Sequence, residues 1–155
     1  MEILFNKTVG KIKPMHAVNN GPVVAGKDQT RGNQEYYRRA RLPYARTHDA
    51  AFYSGYGGEH TVDISAIFPN FDADVNDPNS YDFPCTDHYM KQIIEYGTKP
   101  FFRLGSKIEH GVKKYGTIPP KDFHKWARIC EHIIRHYNEG WANGFKYNIK
   151  YTKFY

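Results

Sequence analysis

The stretch Arg41-Leu42-Pro43-Tyr44-Ala45-Arg46-Thr47-His48-Asp49 reads as a short strand. Pro43 stands at its start, where a missing N–H does least harm. Side chains alternate across a strand, so Tyr44, Arg46 and His48 share one face and Ala45, Thr47 and Asp49 the other. The first residues are bulky or apolar, and the last are Arg, His and Asp. A strand buried along its length and polar only at its C-terminal end is how a parallel α/β sheet presents chemistry. Two other segments repeat the design. Lys11–Val18 reads as a strand that ends on His16 and runs into the turn Asn19-Asn20-Gly21-Pro22, and Lys99–Gly105 reads as a strand that ends on Arg103.

Helical patterns lie between these strands. Asp28–Arg41 is read as the first helix, containing Tyr36, Tyr37 and Ala40. In Thr86–Tyr96, Thr86 is the expected N-cap, Asp87 sits in the first turn, Met90, Ile93 and Ile94 recur at helical spacing, and Gly97 closes the end. Pro120–Tyr137 has the clearest period, with Pro120 at the first helical position. Phe123, Trp126, Ala127, Cys130, Ile133, Ile134 and Tyr137 fall in one stripe, and Lys121, Lys125, Arg128, His132 and Arg135 fall opposite. His132 and His136 are four apart, a spacing that suits zinc, but no Glu stands where a zincin helix needs it, and the pair is read as lying on the solvated face. Phe145–Tyr151 alternates as a fourth strand.

The long excursion Ala50–Phe83 interrupts the alternation, and connections of such length are usually functional. Within it Val62–Phe68 is an apolar strand or extended segment. Asp72–Pro78 resembles a calcium loop only superficially, lacking Gly at the sixth position and Glu at the twelfth, so it is read as turn chemistry with no metal. Ser106–Pro119 is a loop offering Glu109 and His110. The order β-α-β-(long loop)-α-β-α-β implies an α/β fold with about four parallel strands. Sites in such a sheet belong at the C-terminal strand ends. Here those ends supply His16, Asn19 and Asn20, then Arg46, His48 and Asp49, then Arg103. No glycine-rich phosphate fingerprint follows any strand, which disfavours a nucleotide fold.

At 155 residues the chain is about one domain, 1–155. Its net charge of +6 raises nucleic acid as a partner, but the basic residues are dispersed, and no nucleic-acid role is expected. The 13 tyrosines suit stacking on sugars or partners as well as plain cores. Cys85 and Cys130 are far apart and read as free buried thiols. The sequence offers no leader-like or membrane-spanning run, so a cytoplasmic location is expected.

The segments Met15-His16-Ala17-Val18-Asn19-Asn20-Gly21-Pro22, Arg46-Thr47-His48-Asp49, Asp63-Ile64-Ser65-Ala66-Ile67-Phe68-Pro69 and Pro100-Phe101-Phe102-Arg103-Leu104-Gly105 occur in an order that resembles the N-terminal half of the catalytic barrel of glycoside hydrolase family 39, the β-xylosidases and α-L-iduronidases. The resemblance covers about Lys11 to Tyr151. It implies an incomplete (β/α)₈ TIM barrel, a retaining mechanism on xylosides or uronides, and no cofactor. It also implies that His16, Asn19, Asn20, Arg46, His48, Asp49 and Arg103 belong to the substrate-binding side, with Arg46 and Arg103 equally open to a second reading as buried, paired charges that fill the barrel interior. In that family the fourth strand continues into a Trp-Glu-Ile-Trp-Asn-Glu-Pro-like motif whose second Glu is the acid/base, whereas Tyr147–Tyr151 here is followed by Thr152-Lys153-Phe154-Tyr155. A retaining glycosidase needs two carboxylates about 5–5.5 Å apart, and neither has a counterpart in these residues. The expectation is therefore a truncated, inactive part of a hydrolase. The alternative is a non-catalytic half-barrel that binds carbohydrate or docks on a complementing chain or a second copy through its open strand edges.

Overall fold

A computed structural model describes residues 5–13, 16–22, 32–48, 61–106, 112 and 118–154. The start of the first expected helix, and Asp49, Glu109 and His110, lie outside these residues. The element order is β1 (Ala17–Asn19), α1 (Gln34–Ala40), β2 (Tyr44–Arg46), α2 (Ile64–Ile67), α3 (Pro84–Glu95), β3 (Lys99–Leu104), α4 (Phe123–Asn138) and β4 (Tyr151–Phe154), with short 3₁₀ turns at Pro78–Ser80 and Trp141–Asn143. The four strands form one parallel sheet in the order β1-β2-β3-β4. The α/β expectation and the alternation of strands with helices are thus borne out.

Register sets the two faces. Val18 pairs with Ala45 and Ala45 with Pro100, while Asn19 pairs with Arg46 and Arg46 with Phe101. Ala45, Thr47, Phe102 and Leu104 are fully buried or nearly so. Ala45, Phe102 and Leu104 join one core with Tyr89, Met90 and Ile93 of α3 and Ile129, Cys130, Ile133 and Tyr137 of α4. The opposite face, with Tyr44, Arg46 and Phe101, stays partly open. Gly21 closes β1 against α3, since a Cβ there would lie 2.5 Å from Ile93.

Several boundaries differ from the sequence reading. The first strand is Ala17–Asn19 rather than Lys11–Val18, so His16 precedes it. Pro84, not Thr86, opens α3; Thr86 lies inside the first turn and donates its hydroxyl to the Thr61 carbonyl. Helix α4 begins at Phe123 rather than Pro120, capped by Asp122, which accepts from the N–H groups of His124 (2.8 Å) and Lys125 (3.1 Å), and this holds its carboxyl below its ordinary range. The fourth strand is Tyr151–Phe154 rather than Phe145–Tyr151. Residues 144–147 instead fold back on α4, where Phe145 N–H reaches the His136 carbonyl at 2.6 Å and Tyr147 N–H the Tyr137 carbonyl at 2.8 Å. His132 and His136, assigned to the solvent face, are buried, because Tyr81 and Trp141 pack against the first and Phe83, Asp87 and Trp141 against the second. Val62–Phe68 contains one helical turn, α2, because Phe68 N–H bonds back to Ile64. The acidic stretch is built from Asx turns, in which the side chains of Asn70, Asp74 and Asp77 accept from the N–H two residues on. Cys130 is buried, and burial pushes its thiol up to about 12, whereas Cys85 is exposed. Among the described residues no helix is long and apolar enough to cross a membrane.

Candidate functional site

The C-terminal strand ends are joined to one another by hydrogen bonds. Asn20, just past β1 with φ at 66°, donates its N–H to the Arg46 carbonyl at 2.8 Å and accepts the His48 N–H on its side chain at 3.2 Å. Tyr37 of α1 donates its hydroxyl to the Asn20 carbonyl at 2.8 Å, and burial pushes that phenol up to about 12. At the end of β3, Arg103 N–H reaches the Thr47 hydroxyl at 2.9 Å, and the Arg103 guanidinium donates through Nη2 to the His48 carbonyl at 2.8 Å. The same nitrogen forms an ion pair with Asp63.

That pair explains a break in the burial pattern of β3. Phe101, on the open face, is partly exposed, but Arg103 two residues on is only 2% exposed. The segment that leads into α2 lies over this strand end, with Ile64 N–H bonded to the Gly105 carbonyl at 3.0 Å. It brings Asp63, itself buried, onto the guanidinium. A buried arginine without a carboxylate would carry a large desolvation cost. The pairing is incomplete nonetheless: Nε and Nη1 of Arg103 are buried without a hydrogen-bond partner among the described residues. Native interiors leave few such donors, and each asks for an explanation.

Lower on the same face, Asn19 stands beside Arg46 in register, and with Tyr44 and Phe101 they line an open cleft of about 340 Å³. The structure thus gathers Asn19 and Arg46 on the open face and Asn20, His48 and Arg103 at the strand ends. It does not bring His16 to them. His16 is exposed before β1, its Nε2 3.3 Å from the carbonyl of Arg41, which precedes β2. That is the opposite, N-terminal end of the strands. Asp49 lies outside the described residues. Asp63 is the member that sequence reasoning did not single out as a site residue. The signal was present, because an acid inside the apolar run Val62–Phe68 needs a cation once that run is buried. Among the described residues, no group of three or more His, Cys, Asp or Glu side chains is placed to hold a metal ion.

No family model matches the chain, and neither does any curated protein. Among solved structures, a glucosidase from Croceicoccus marinus, crystallised and refined at 1.8 Å, matches with a TM-score of 0.73 at 24% sequence identity. The likeness is one of fold. It takes in 96% of this chain and 30% of the glucosidase chain, so the present residues span under a third of the protein they resemble.

Proposed function

We propose that the chain is the N-terminal part of a glycoside hydrolase barrel of the family 39 type, acting on xylosides or uronides with retention when the remainder is supplied. The observation that carries this reading is the set of joined strand ends on an in-order parallel sheet. A doubly wound sheet reverses its strand order at a switch point, whereas a (β/α)₈ barrel keeps sequence order and builds its site at the C-terminal ends. The order β1-β2-β3-β4, and the polar groups Asn20, His48, Arg103 and Asp63 at those ends, agree with the second design. The fold likeness to a glucosidase adds support.

In this reading Asn19 and Arg46 meet the sugar on the open face, and Asn20 and His48 hold the strand ends that frame it. Asp63 does not serve as a catalytic acid, because Arg103 already occupies it. The 155 residues alone then bind carbohydrate without cleaving it. Two tests apply to the purified chain. An aryl β-xyloside should release no phenol above the buffer rate. Xylose should raise the melting temperature, and Arg46→Ala should remove that rise. Turnover would overturn the inactivity, and no thermal response to xylose or glucuronate would overturn the sugar site.

β1 and β4 stand at the two edges of the sheet, which favours a second reading. The chain would then be a half-barrel completed by another chain or a second copy. Sedimentation at rising concentration tests it, and a monomer throughout would count against self-association.

A further inference from the structure

His136 is 1% exposed, yet among the described residues both groups bonded to its ring nitrogens are acceptors. Nδ1 lies 2.9 Å from the carbonyl oxygen of Trp141, which can only accept. Nε2 lies 2.9 Å from Oδ1 of Asp87, and the Tyr137 hydroxyl already donates to that oxygen at 3.0 Å. A neutral imidazole has a single N–H and would set the lone pair of its other nitrogen against an acceptor. The stacking agrees with a charged ring. His136 lies flat on Phe83, with centroids 3.5 Å and planes 3° apart. Two neutral rings disfavour such a face-to-face sandwich, whereas a cation is drawn to an aromatic face.

We infer that His136 is an imidazolium at neutral pH and that its second proton is a pH-sensitive latch on the segment that follows α4. The proton belongs to the ring rather than to Asp87, because imidazole is ordinarily a far stronger base than a carboxylate. The Asp87 side chain is also 25% exposed, so water shares its negative charge. What the ring holds is the chain leading to β4, an edge of the sheet. Its Nδ1 takes the Trp141 carbonyl, Phe145 N–H reaches the His136 carbonyl at 2.6 Å, and a Cβ on Gly144 would lie 2.7 Å from Nδ1. Without the second proton, either Asp87 or the Trp141 carbonyl faces a lone pair, and one tie is lost. Four ionisable groups surround the ring among the described residues. Asp87 comes from α3. Tyr137 of α4 is held well above its ordinary value by burial and the Asp87 charge, and Tyr147 is raised by burial, then by Asp87 and Glu95. His132, one turn back, turns its Nδ1 to the Arg128 carbonyl at 2.8 Å. Of the four, Asp87 alone bonds to the His136 ring. The latch is closed on the acid side and opens as the pH rises, because the folded state binds the proton that closes it.

The test is nitrogen NMR on the purified chain with isotope-labelled histidine, the His136 signals being assigned by their loss in His136→Gln. At neutral pH both ring nitrogens of His136 should carry protons, and one unprotonated nitrogen would overturn the imidazolium. Asp87→Asn should return one nitrogen to the unprotonated form, since an amide can donate to Nε2. Hydrogen exchange reads the latch itself. Protection factors at the Phe145 and Tyr147 N–H groups, which bond to carbonyls of α4, should fall about tenfold from neutral to mildly alkaline pH, the size of one lost buried hydrogen bond. Asp87→Asn should show no such step. A step of equal size in both proteins, or in neither, would overturn the latch even with the imidazolium in place. The unmodified chain also decides alone: loss of the His136 proton and loss of protection should share one midpoint, and separate midpoints would overturn the latch.

Discussion

Among the described residues, two polar pairs in the interior, His136 with Asp87 and Arg103 with Asp63, are finished to different degrees. Between the helices, His136 is enclosed on every side. Its Nδ1 faces the Trp141 carbonyl at 2.9 Å, its Nε2 faces Asp87 at 2.9 Å, and its ring stacks on Phe83 with centroids 3.5 Å apart. Tyr137 donates to the same Asp87 oxygen at 3.0 Å. Both ring nitrogens therefore have partners. At the strand ends, Arg103 and Asp63 are as deeply buried, yet two guanidinium nitrogens have no partner among the described residues. The saturated pair holds α3, α4 and the return after α4 together, which is architecture. The unsaturated pair lies where a parallel sheet places its chemistry.

The largest effect should come from breaking the strand-end pair on one side. Asp63→Ala strands the Arg103 guanidinium, and such a loss costs about 3–5 kcal/mol. Urea unfolding should show this as a lower midpoint with an unchanged slope. The double change Asp63→Leu with Arg103→Met should recover most of the loss, since apolar replacement of a buried pair is often neutral. If Asp63→Ala were nearly silent, the pair would be solvated and the contrast would fail.

His136→Ala should cost somewhat less, about 2–3 kcal/mol, because it removes one hydrogen bond to a charged group and one to a carbonyl. The distinction from Asp63 lies in ligand response. His136→Ala should lower stability while leaving the xylose-induced rise in melting temperature intact, and a loss of that rise would tie the helix network to the site.

Tyr37→Phe tests the link between α1 and the end of β1. Removing one buried hydroxyl donor should cost about 1 kcal/mol. Thermal unfolding measures it, and no change would show that Asn20 is held by its contacts with β2 alone.

The smallest effect at neutral pH is alkaline. Burial raises Tyr37 to about 12 and raises Tyr137 well above its ordinary value, with the nearby Asp87 charge adding to the latter. The folded protein therefore holds these protons more tightly than the unfolded chain. Their contribution is fully present below about pH 10, the ordinary tyrosine value, and for Tyr37 is lost between about 10 and 12. A stability profile by urea should fall in that window, and Tyr37→Phe should make the fall shallower.

How far the sequence can be read is clear from particular elements. The face pattern of Tyr44–His48 was legible because alternation is intrinsic to a strand, and the structure buries Ala45 and Thr47 as it requires. The parallel order followed from strands alternating with helices. Helix α4 was legible from its period, but its solvent face was not. Burial of His132 and His136 depends on where Tyr81, Phe83, Asp87 and Trp141 fold, and the helix itself carries no record of that. Strand limits failed for a related reason. The runs before Ala17 and around Phe145–Lys150 have strand-like composition, but hydrogen-bond partners, not composition, decide where a strand exists.

The candidate site divides in the same way. The residue types at the strand ends, Asn20, His48 and Arg103, were determined by the sequence, since each follows directly from a strand whose pattern is local. That His16 stands at the other end and that Asp63 answers Arg103 were decided only by tertiary structure. These relations join residues distant along the chain, 40 apart for Arg103 and Asp63. Local periodicity determines which face a side chain takes, while only the packed fold determines what that side chain meets.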